Sequence, residues 1–196
     1  MDIDKVLRKQ KKSYKRFMLS MGFIFLLLPI VMYISERFNI FFIIYLMLIE
    51  ALILFSMLIR YNEEHLNYYL EGNKLTIVTS GAKIRYNILT DKVTIVHAIA
   101  EEKYFNIMIV TKSKFRNKRL QHVDFKVLEK YSELDRVYNR IKMPDEGPYF
   151  YFIIKKGGIK KYLLLNLLYK YCVGATFTEA AVEKIKESIK HKEVRN

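Results

Sequence analysis

The chain contains two long apolar runs, FMLSMGFIFLLLPIVMYIS at residues 17–35 and IFFIIYLMLIEALILFSMLI at residues 40–59. The first run of 19 residues carries no charge, and the second run of 20 residues carries one, on Glu50. A helix rises about 1.5 Å per residue, so each run would span roughly 30 Å, the thickness of the hydrocarbon core of a bilayer. Only four residues separate the two runs. The sequence therefore predicts a hairpin of two transmembrane helices over residues 17–60.

A signal peptide and a buried core helix both fit the first apolar run less well. A cleaved signal peptide has a shorter apolar region that ends in a small-residue cleavage site. This run is long, lacks such a site and is followed at once by the second run. A core helix of a soluble protein keeps a polar face, which an apolar run of this length does not offer.

Basic residues flank the predicted hairpin on one side. Residues 1–16 hold seven Lys or Arg against two Asp, and Arg60 follows the second run, whereas the intervening turn offers only Arg37. The positive-inside rule then places both termini in the cytoplasm. We expect a multi-pass protein of the cytoplasmic (inner) membrane, with a basic N-terminal segment 1–16 and a cytoplasmic domain 61–196.

Glu50 lies near the middle of the second run. An ionised carboxylate there costs at least about 2.5–3.5 kcal/mol on insertion scales, so a neutral or partnered carboxyl is expected. One hypothesis is that Glu50 donates a hydrogen bond to the carbonyl of Phe25, which Pro29 leaves without its helical partner. A second hypothesis is that Glu50 contacts another membrane subunit or a transported ion. The sequence leaves both hypotheses open.

The remaining 136 residues carry strand patterns followed by helix patterns. Residues 61–70 are expected to extend or leave the second helix. Short alternating runs separated by turn residues then predict an antiparallel meander. Its strands are expected at residues 74–79, 83–89, 93–99 and 104–111.

Apolar residues at three- and four-residue spacing predict a helix over 126–141, which ends near Pro144. Residues 149–154 and 159–165 predict a hairpin around Gly157-Gly158, although 163–171 also fits the start of a helix. Thr178 is the expected N-cap of a C-terminal helix over 178–191. The predicted fold class is a membrane-anchored α+β protein, in which an antiparallel β-rich domain with a C-terminal helix follows the hairpin.

Three segments resemble the bacterial pleckstrin-homology-like membrane proteins. They are YLEGNKLTI at residues 69–77, ILTDKV at residues 88–93 and the terminal helix from Thr178. Two N-terminal membrane helices, then a sheet that ends in a C-terminal helix, are the architecture of that group. The resemblance implies a binding or scaffolding module without shared catalytic residues.

No motif for catalysis, a cofactor or a metal occurs in the sequence. The single cysteine, Cys172, excludes an internal disulfide framework and a multi-cysteine metal site, and it is expected to be a buried small hydrophobe. The four histidines, His65, His97, His122 and His191, form no HExxH motif and are expected at the surface or satisfied in the core. The chain has seven glycines but no P-loop, GxGxxG or G-x-S-x-G motif. We therefore predict a protein without enzymatic activity, cofactor or metal.

Two basic clusters are the strongest functional signal. Residues 61–196 hold 25 Lys or Arg against 16 Asp or Glu, which favours an anionic partner. Both clusters are expected at hairpin tips, where they would contact anionic lipid headgroups or a protein partner, unless they are only solvated loops. Phe115 in the first cluster is expected either to insert into the membrane interface or to cap the core. The first cluster is Lys112, Lys114, Arg116, Lys118 and Arg119, and the second is Lys155, Lys156, Lys160 and Lys161.

Nucleic acid is the disfavoured alternative anion. Base stacking needs aromatic side chains interleaved on a basic sheet face, and only alternate rings of the run Tyr149–Phe152 share one face. One pair of these rings is expected in the core. The membrane anchor makes lipid the simpler partner.

The sequence thus favours a non-enzymatic bacterial inner-membrane protein. Its cytoplasmic domain is expected to bind or scaffold a protein partner or the anionic lipid surface. One alternative is an accessory subunit of a transporter, secretion or DNA-transfer complex, which Glu50 motivates. Another is a membrane-bound enzyme with a site that the sequence does not reveal. The sequence makes no prediction of oligomeric state.

Overall fold

A computed structural model describes residues 3–36, 39–79, 84–101, 104–115, 117 and 119–193, without the side chains of residue 4 and residues 190–193. Within these ranges the chain is an α+β protein with two long apolar helices at its N-terminus. The helices are α1 (Ile3–Ile34), α2 (Ile40–Glu64), α3 (Phe125–Lys130), α4 (Ser132–Ile141), α5 (Lys160–Tyr171) and α6 (Glu179–Glu193). The strands are β1 (Leu66–Glu71), β2 (Lys74–Thr79), β3 (Ile84–Leu89), β4 (Val93–Ala100), β5 (Phe105–Thr111), β6 (Gln121–His122), β7 (Phe150–Ile154) and β8 (Thr176–Phe177).

Helices α1 and α2 are long and apolar enough to cross a membrane. None of the most apolar window of α1, and 6% of that of α2, is buried inside the protein. A core helix of a soluble protein would instead be covered by its own chain. Asn39 caps α2, because its side chain accepts a hydrogen bond from the backbone N–H of Phe41 at 3.4 Å.

Two sheets follow the helices. The first is an antiparallel meander in the order β1-β2-β3, and the second has the order β6-β7-β5-β4-β8. All neighbours in the second sheet are antiparallel except β4 and β8, which are parallel. The predicted strands at 74–79, 83–89, 93–99 and 104–111 are present as β2 to β5. The predicted meander divides after β3, because β4 pairs with β5 in the second sheet.

Side chains pack on both faces of the second sheet. One face joins the first sheet and helices α5 and α6 in a core that includes Ile77, Ile109, Phe152, Leu165 and Ile185. The other face is covered by α4 through Leu134, Val137 and Tyr138. Strand β5 is buried along its whole length for this reason. Its run of apolar residues, rather than an alternating pattern, is typical of a strand covered on two sides.

Three sequence predictions differ from the structure. Residues 61–70 extend the second helix to Glu64 and then leave it, as expected, but they also form the unpredicted strand β1. Its alternate residues Leu66, Tyr68 and Leu70 face the core. The helix predicted over 126–141 is interrupted at Tyr131, which separates α3 from α4.

The third difference lies after Gly158. The strand predicted over 159–165 is helix α5, and the ambiguous segment 163–171 belongs to the same helix. Its buried residues, Lys161, Leu164, Leu165 and Leu168, recur at three- and four-residue steps, which is the period of a helix. The C-terminal helix is confirmed: α6 begins after Thr178, whose Oγ1 accepts the N–H of Ala181 at 3.4 Å.

Candidate functional site

The chain turns sharply between β7 and α5 at Gly157 and Gly158, the Gly-Gly corner. Both glycines adopt positive φ angles, 112° and 52°. A Cβ atom on Gly157 would stand 2.5 Å from Cδ2 of Leu66. Only glycine therefore fits position 157 without movement of β1.

Hydrogen bonds attach the Gly-Gly corner to the polar ends of both apolar helices. The N–H of Gly157 donates to the carbonyl of Glu63 in α2 at 2.8 Å. The N–H of Ile159 donates to Oε1 of Gln10 in α1 at 3.0 Å. Nζ of Lys160 donates to the carbonyl of Leu66, just after α2, at 3.3 Å. The second basic cluster is thus fixed beside the apolar helices.

A cavity of about 210 Å³ lies between this corner and the helix ends, and we call it the corner cavity. Its charged lining consists of four cationic and two carboxylate side chains, and Gln10, Tyr104 and Gly158 complete the wall. Arg60 Nη2 and Glu64 Oε1 form an ion pair at 2.7 Å. Nε of Arg60 is buried and has no hydrogen-bond acceptor among the described residues. The charged residues are Arg60, Lys155, Lys156, Lys161, Glu63 and Glu64.

Lys161 is the one buried cation of this lining, with 2% of its surface exposed. Its ammonium donates to Oδ1 of Asn106 at 3.2 Å and to the carbonyl of Lys155 at 2.9 Å. Asn106 in turn donates to the carboxylate of Glu101. Burial lowers the pKa of Lys161 to about 8, and the negative charge of Glu101 partly opposes this shift.

The first basic cluster is divided between the two ends of the second sheet. Arg119 lines a cavity of about 290 Å³ together with Lys155 and Lys156 of the second cluster. Lys112 lies at the other end of the sheet, directly after the last residue of β5. Six strand residues at about 3.3 Å each separate it from the level of the Gly-Gly corner, a distance of about 20 Å. There Lys112 forms an ion pair with Glu146 at 2.5 Å.

The segment after β5 is not a hairpin tip. Strand β6, which follows it, pairs with β7 rather than with β5. Lys114 is exposed on this connection, and Arg116 and Lys118 lie outside the described residues. Phe115 packs in the core, with its ring centroid 5.6 Å from that of Phe152. Of the two expectations for Phe115, capping the core is therefore the one that the structure shows.

The second cluster also lies at a strand-to-helix corner and not at a hairpin tip. Lys155 and Lys156 follow β7, and Lys160 and Lys161 open α5. Lys160 lines a further cavity of about 350 Å³ with Lys11, Tyr14 and His65. Lys155, Lys156 and Lys161 line the corner cavity.

The aromatic run at the start of β7 is covered on both sides. Tyr149, Phe150, Tyr151 and Phe152 are each less than 9% exposed, so both alternating pairs are in the core and not only one. Tyr149 and Tyr151 belong to the face under α4, whereas Phe152 belongs to the face shared with the first sheet. These rings are not available as a stacking platform for bases.

A histidine, a hydroxyl and a carboxylate meet at the start of α6, but they are arranged to hold structural elements together and not as a catalytic triad. His97 is buried, and its Nδ1 lies 3.0 Å from Oγ1 of Thr178 and 3.7 Å from Oε2 of Glu133. A catalytic triad needs the nucleophile and the carboxylate on different ring nitrogens, whereas here both face Nδ1. Oε1 of Glu133 also accepts the N–H of Ala180, so the group ties β4 and α4 to the start of α6.

The other candidate side chains occupy varied surroundings. Cys172 is buried, as predicted, in the core that the second sheet shares with the first sheet, α5 and α6. His65 is half-buried beside the ring of Tyr61, and His122 is exposed over Phe150, whereas the side chain of His191 lies outside the described residues. Within the ranges that the structure describes, no three His, Cys, Asp or Glu side chains are grouped to hold a metal ion.

Glu50 is half-buried on α2. No basic or hydrogen-bond-donating side chain pairs with its carboxyl group in the part of the chain that the structure describes. The hairpin itself therefore supplies no counter-charge for an ionised Glu50.

Comparisons with protein-family models, with curated proteins and with solved structures found no match to this chain. The class of protein is thus defined by its own architecture. It is an α+β domain joined to two apolar helices, with a basic cavity at the joint.

The sequence predicts the lysines of the corner cavity as a basic cluster, but it does not reveal that Gln10 and Arg60 are their neighbours. Gln10 is 149 residues from its partner Ile159. A signal was present: a Gly-Gly pair between lysines marks a turn where a backbone approaches closely. Which backbone approaches it depends on tertiary packing.

Proposed function

We propose that this chain is a non-enzymatic, membrane-anchored binding module that holds its basic corner against the anionic surface of the bilayer. The observation that carries the proposal is the attachment of the Gly-Gly corner to the polar ends of α1 and α2 by hydrogen bonds from Gly157 and Ile159. This attachment fixes Lys155, Lys156 and Lys160 beside the point where both helices become apolar.

The two attachment points of the corner lie within the headgroup layer and just beyond it. With the hydrocarbon edge at the ends of the apolar runs, Glu63 lies about 6 Å and Gln10 about 10 Å beyond that edge, at about 1.5 Å per helical residue. The headgroup region of one leaflet is roughly 5–8 Å thick. Cations attached at this depth lie next to lipid phosphates, where each contributes about 1 kcal/mol of attraction.

The proposal includes insertion of α1 and α2 as a transmembrane hairpin in the inner membrane. It also includes a cytoplasmic location for both termini, which the seven Lys or Arg of residues 1–16 and Arg60 support against the single Arg37 of the turn. The inner leaflet carries anionic lipids, so this topology places the cations of the corner on the same side of the membrane as their ligand.

The pleckstrin-homology-like identity is the finer part of the proposal. Two N-terminal helices, antiparallel strands and the final helix α6 in this order support it. Helices α3, α4 and α5 are additions to that simple pattern. The lipid-surface role depends on the cations of the corner and not on membership of this family.

The test measures thermal unfolding of the full chain in a neutral detergent, with short-chain phosphatidylglycerol or phosphatidylcholine added. A ligand that binds only the folded state raises Tm. We expect phosphatidylglycerol to raise Tm at low salt, phosphatidylcholine to have little effect, and salt to remove the difference because charges are screened. Equal responses to the two lipids at low salt would refute the lipid-surface role.

A matched pair of variants locates the effect. Lys155→Gln/Lys156→Gln/Lys160→Gln removes three cations from the corner. Lys126→Gln/Lys130→Gln/Lys170→Gln removes three cations from α3 and the far end of α5. Only the first variant is expected to lose most of the response to phosphatidylglycerol, and equal losses would argue against a localised surface.

A second candidate function is that of an accessory subunit in a membrane complex. Glu50 favours it, because no basic or donating side chain among the described residues pairs with its carboxyl group. A hydrogen-bond partner from another chain would relieve the cost of this group in the apolar layer. Light scattering in mild detergent measures the assembled mass. Under this candidate Glu50→Gln keeps the complex and Glu50→Leu loses it, whereas a monomer for the unmodified chain and both variants would exclude it.

A further inference from the structure

The corner cavity has two properties that general attraction to a charged surface does not require. It is lined by Arg60, whose buried Nε has no acceptor among the described residues. It also contains a buried ammonium, that of Lys161. Buried donors in native proteins nearly always have partners, so an unused one marks a place where an ordered water, an ion or a ligand oxygen supplies the acceptor.

The charge of the lining sets the charge of the ligand. Four cationic side chains face the cavity against two carboxylates, Glu63 and Glu64, which leaves two positive charges in excess. A phosphomonoester carries about −1.5 to −2 charges at neutral pH, whereas a phosphodiester carries about one. The monoester matches the excess better.

The size of the cavity points the same way. Its volume of about 210 Å³ is below the roughly 300–1,000 Å³ of pockets for drug-sized ligands. A terminal phosphate has no further headgroup to accommodate. The donors are side chains rather than a free helix end, because Gln10 already takes the N–H of Ile159 at the start of α5.

We infer that the corner cavity binds the terminal phosphate of a membrane lipid, a phosphomonoester headgroup, with Arg60 and Lys161 as its central cations and Lys155 and Lys156 at its rim. The inference rests on the proposed function and deepens it, because it replaces a general anionic surface with a site for one headgroup class. Lys161 has used two of its three ammonium donors on Asn106 and Lys155, which leaves one for the phosphate.

The matched variants are Lys161→Met and Lys160→Met. Both remove one charge from the first turn of α5, but Lys161 lines the corner cavity and Lys160 lines the neighbouring one. Methionine fills a buried lysine position without leaving a charge to solvate, so Lys161→Met is expected to fold. Lys155→Gln/Lys156→Gln, at exposed and half-buried positions of the rim, is the second test should Lys161→Met not fold.

The experiment titrates the full chain in neutral detergent with short-chain phosphatidic acid, short-chain phosphatidylglycerol and inorganic phosphate, and follows Tm. We expect phosphatidic acid to bind about five- to tenfold more tightly than phosphatidylglycerol, the effect of roughly one additional charge contact. Lys161→Met should reduce this ratio to about one. Lys160→Met removes a cation of the general surface, so it should weaken both anionic lipids alike and keep the ratio between them.

The outcomes separate the two levels of the proposal. A response to both anionic lipids with no preference, or equal ratios in the two lysine variants, overturns the headgroup site but leaves the anionic surface standing. No difference between the anionic lipids and phosphatidylcholine overturns both. Equal stabilisation by inorganic phosphate and phosphatidic acid at the same concentration overturns a lipid as the source of the phosphate.

Discussion

At the scale of single residues, burial decides the chemistry of Cys172. Its side chain is 1% exposed in the core beside α5 and α6, and burial raises the pKa of the thiol to about 11. The thiolate is the reactive form of cysteine. Cys172 is therefore a reporter of unfolding rather than a nucleophile.

We expect the native thiol to resist a maleimide at pH 8 and to react as the chain unfolds. The full-length protein in detergent, heated with a maleimide that fluoresces on reaction, measures this. Cys172→Ala/Val173→Cys is the control, because Val173 is 89% exposed and a cysteine there should react at once. Fast labelling of unheated unmodified protein would contradict the buried position.

Gly157 shows how one backbone position maintains the joint between helices and domain. Gly157→Ala forces a Cβ atom to within 2.5 Å of Leu66 at a φ angle of 112°. Strained backbone of this kind costs on the order of 1–3 kcal/mol. We expect a clear fall in Tm in the maleimide assay.

Gly147→Ala is the matched control for Gly157→Ala. A Cβ atom at position 147 meets nothing within 4 Å, and this glycine is not among those with positive φ. Its Tm should stay unchanged or rise slightly, because alanine reduces the freedom of the unfolded chain. Equal effects of the two substitutions would show that the corner is not constrained.

At the scale of elements, the start of α6 depends on the state of His97. Burial lowers the pKa of His97 below its usual value of about 6.5, and the nearby Glu133 carboxylate partly opposes the shift. The unfolded chain therefore binds a proton that the folded chain binds less readily. The free energy of unfolding must fall as pH drops below about 6.5, and it recovers as pH rises through that value.

Circular dichroism melts between pH 5 and 7.5 measure this dependence. His97→Gln should flatten the slope of Tm against pH, since it removes the titrating group that faces Glu133, Thr178 and the ring of Tyr131. His122→Gln is the control, because His122 is an exposed histidine on β6, at the opposite edge of the second sheet from β8 and the start of α6. An unchanged slope in His97→Gln would show that other groups are responsible.

Among the elements, those with a local periodicity could be predicted from the sequence. Strands β2 to β4 stand where alternation places them, β5 stands where an apolar and β-branched run places it, and α6 begins at its predicted cap. For helix α5 the sequence favours a strand over 159–165 and leaves 163–171 open to a helix, because a lysine pair followed by a leucine-rich run fits both patterns. Packing against β5 and α6 resolves it, with Leu164, Leu165 and Leu168 on the buried face.

At the scale of the whole molecule, the two apolar helices and their flanking charges predict the topology. Positions 13 and 173 should lie in the cytoplasm, and position 35, at the turn end of α1, should lie outside. Ser13, Ser35 and Val173 are all exposed in the structure. Each can therefore carry a reporter cysteine in a Cys172→Ala background.

A membrane-impermeant maleimide applied to intact cells should label Ser35→Cys only. Ser13→Cys and Val173→Cys should react after the membrane is permeabilised. Labelling of Val173→Cys in intact cells would reverse the topology. If alkaline carbonate extracted the unmodified chain from membranes, insertion itself would be excluded.

Composition and short-range patterns were enough to predict the two apolar helices, the basic balance, four of the strands and the capped C-terminal helix. These features depend on a repeat or a cap within a few neighbouring residues, which a single chain displays directly. Long-range packing was needed to place Gln10, Arg60 and Lys161 around one cavity, to separate Lys112 from Arg119, and to bury all four rings of Tyr149–Phe152. Each of these outcomes depends on strand order and long-range pairing, and no local pattern encodes which distant segment approaches.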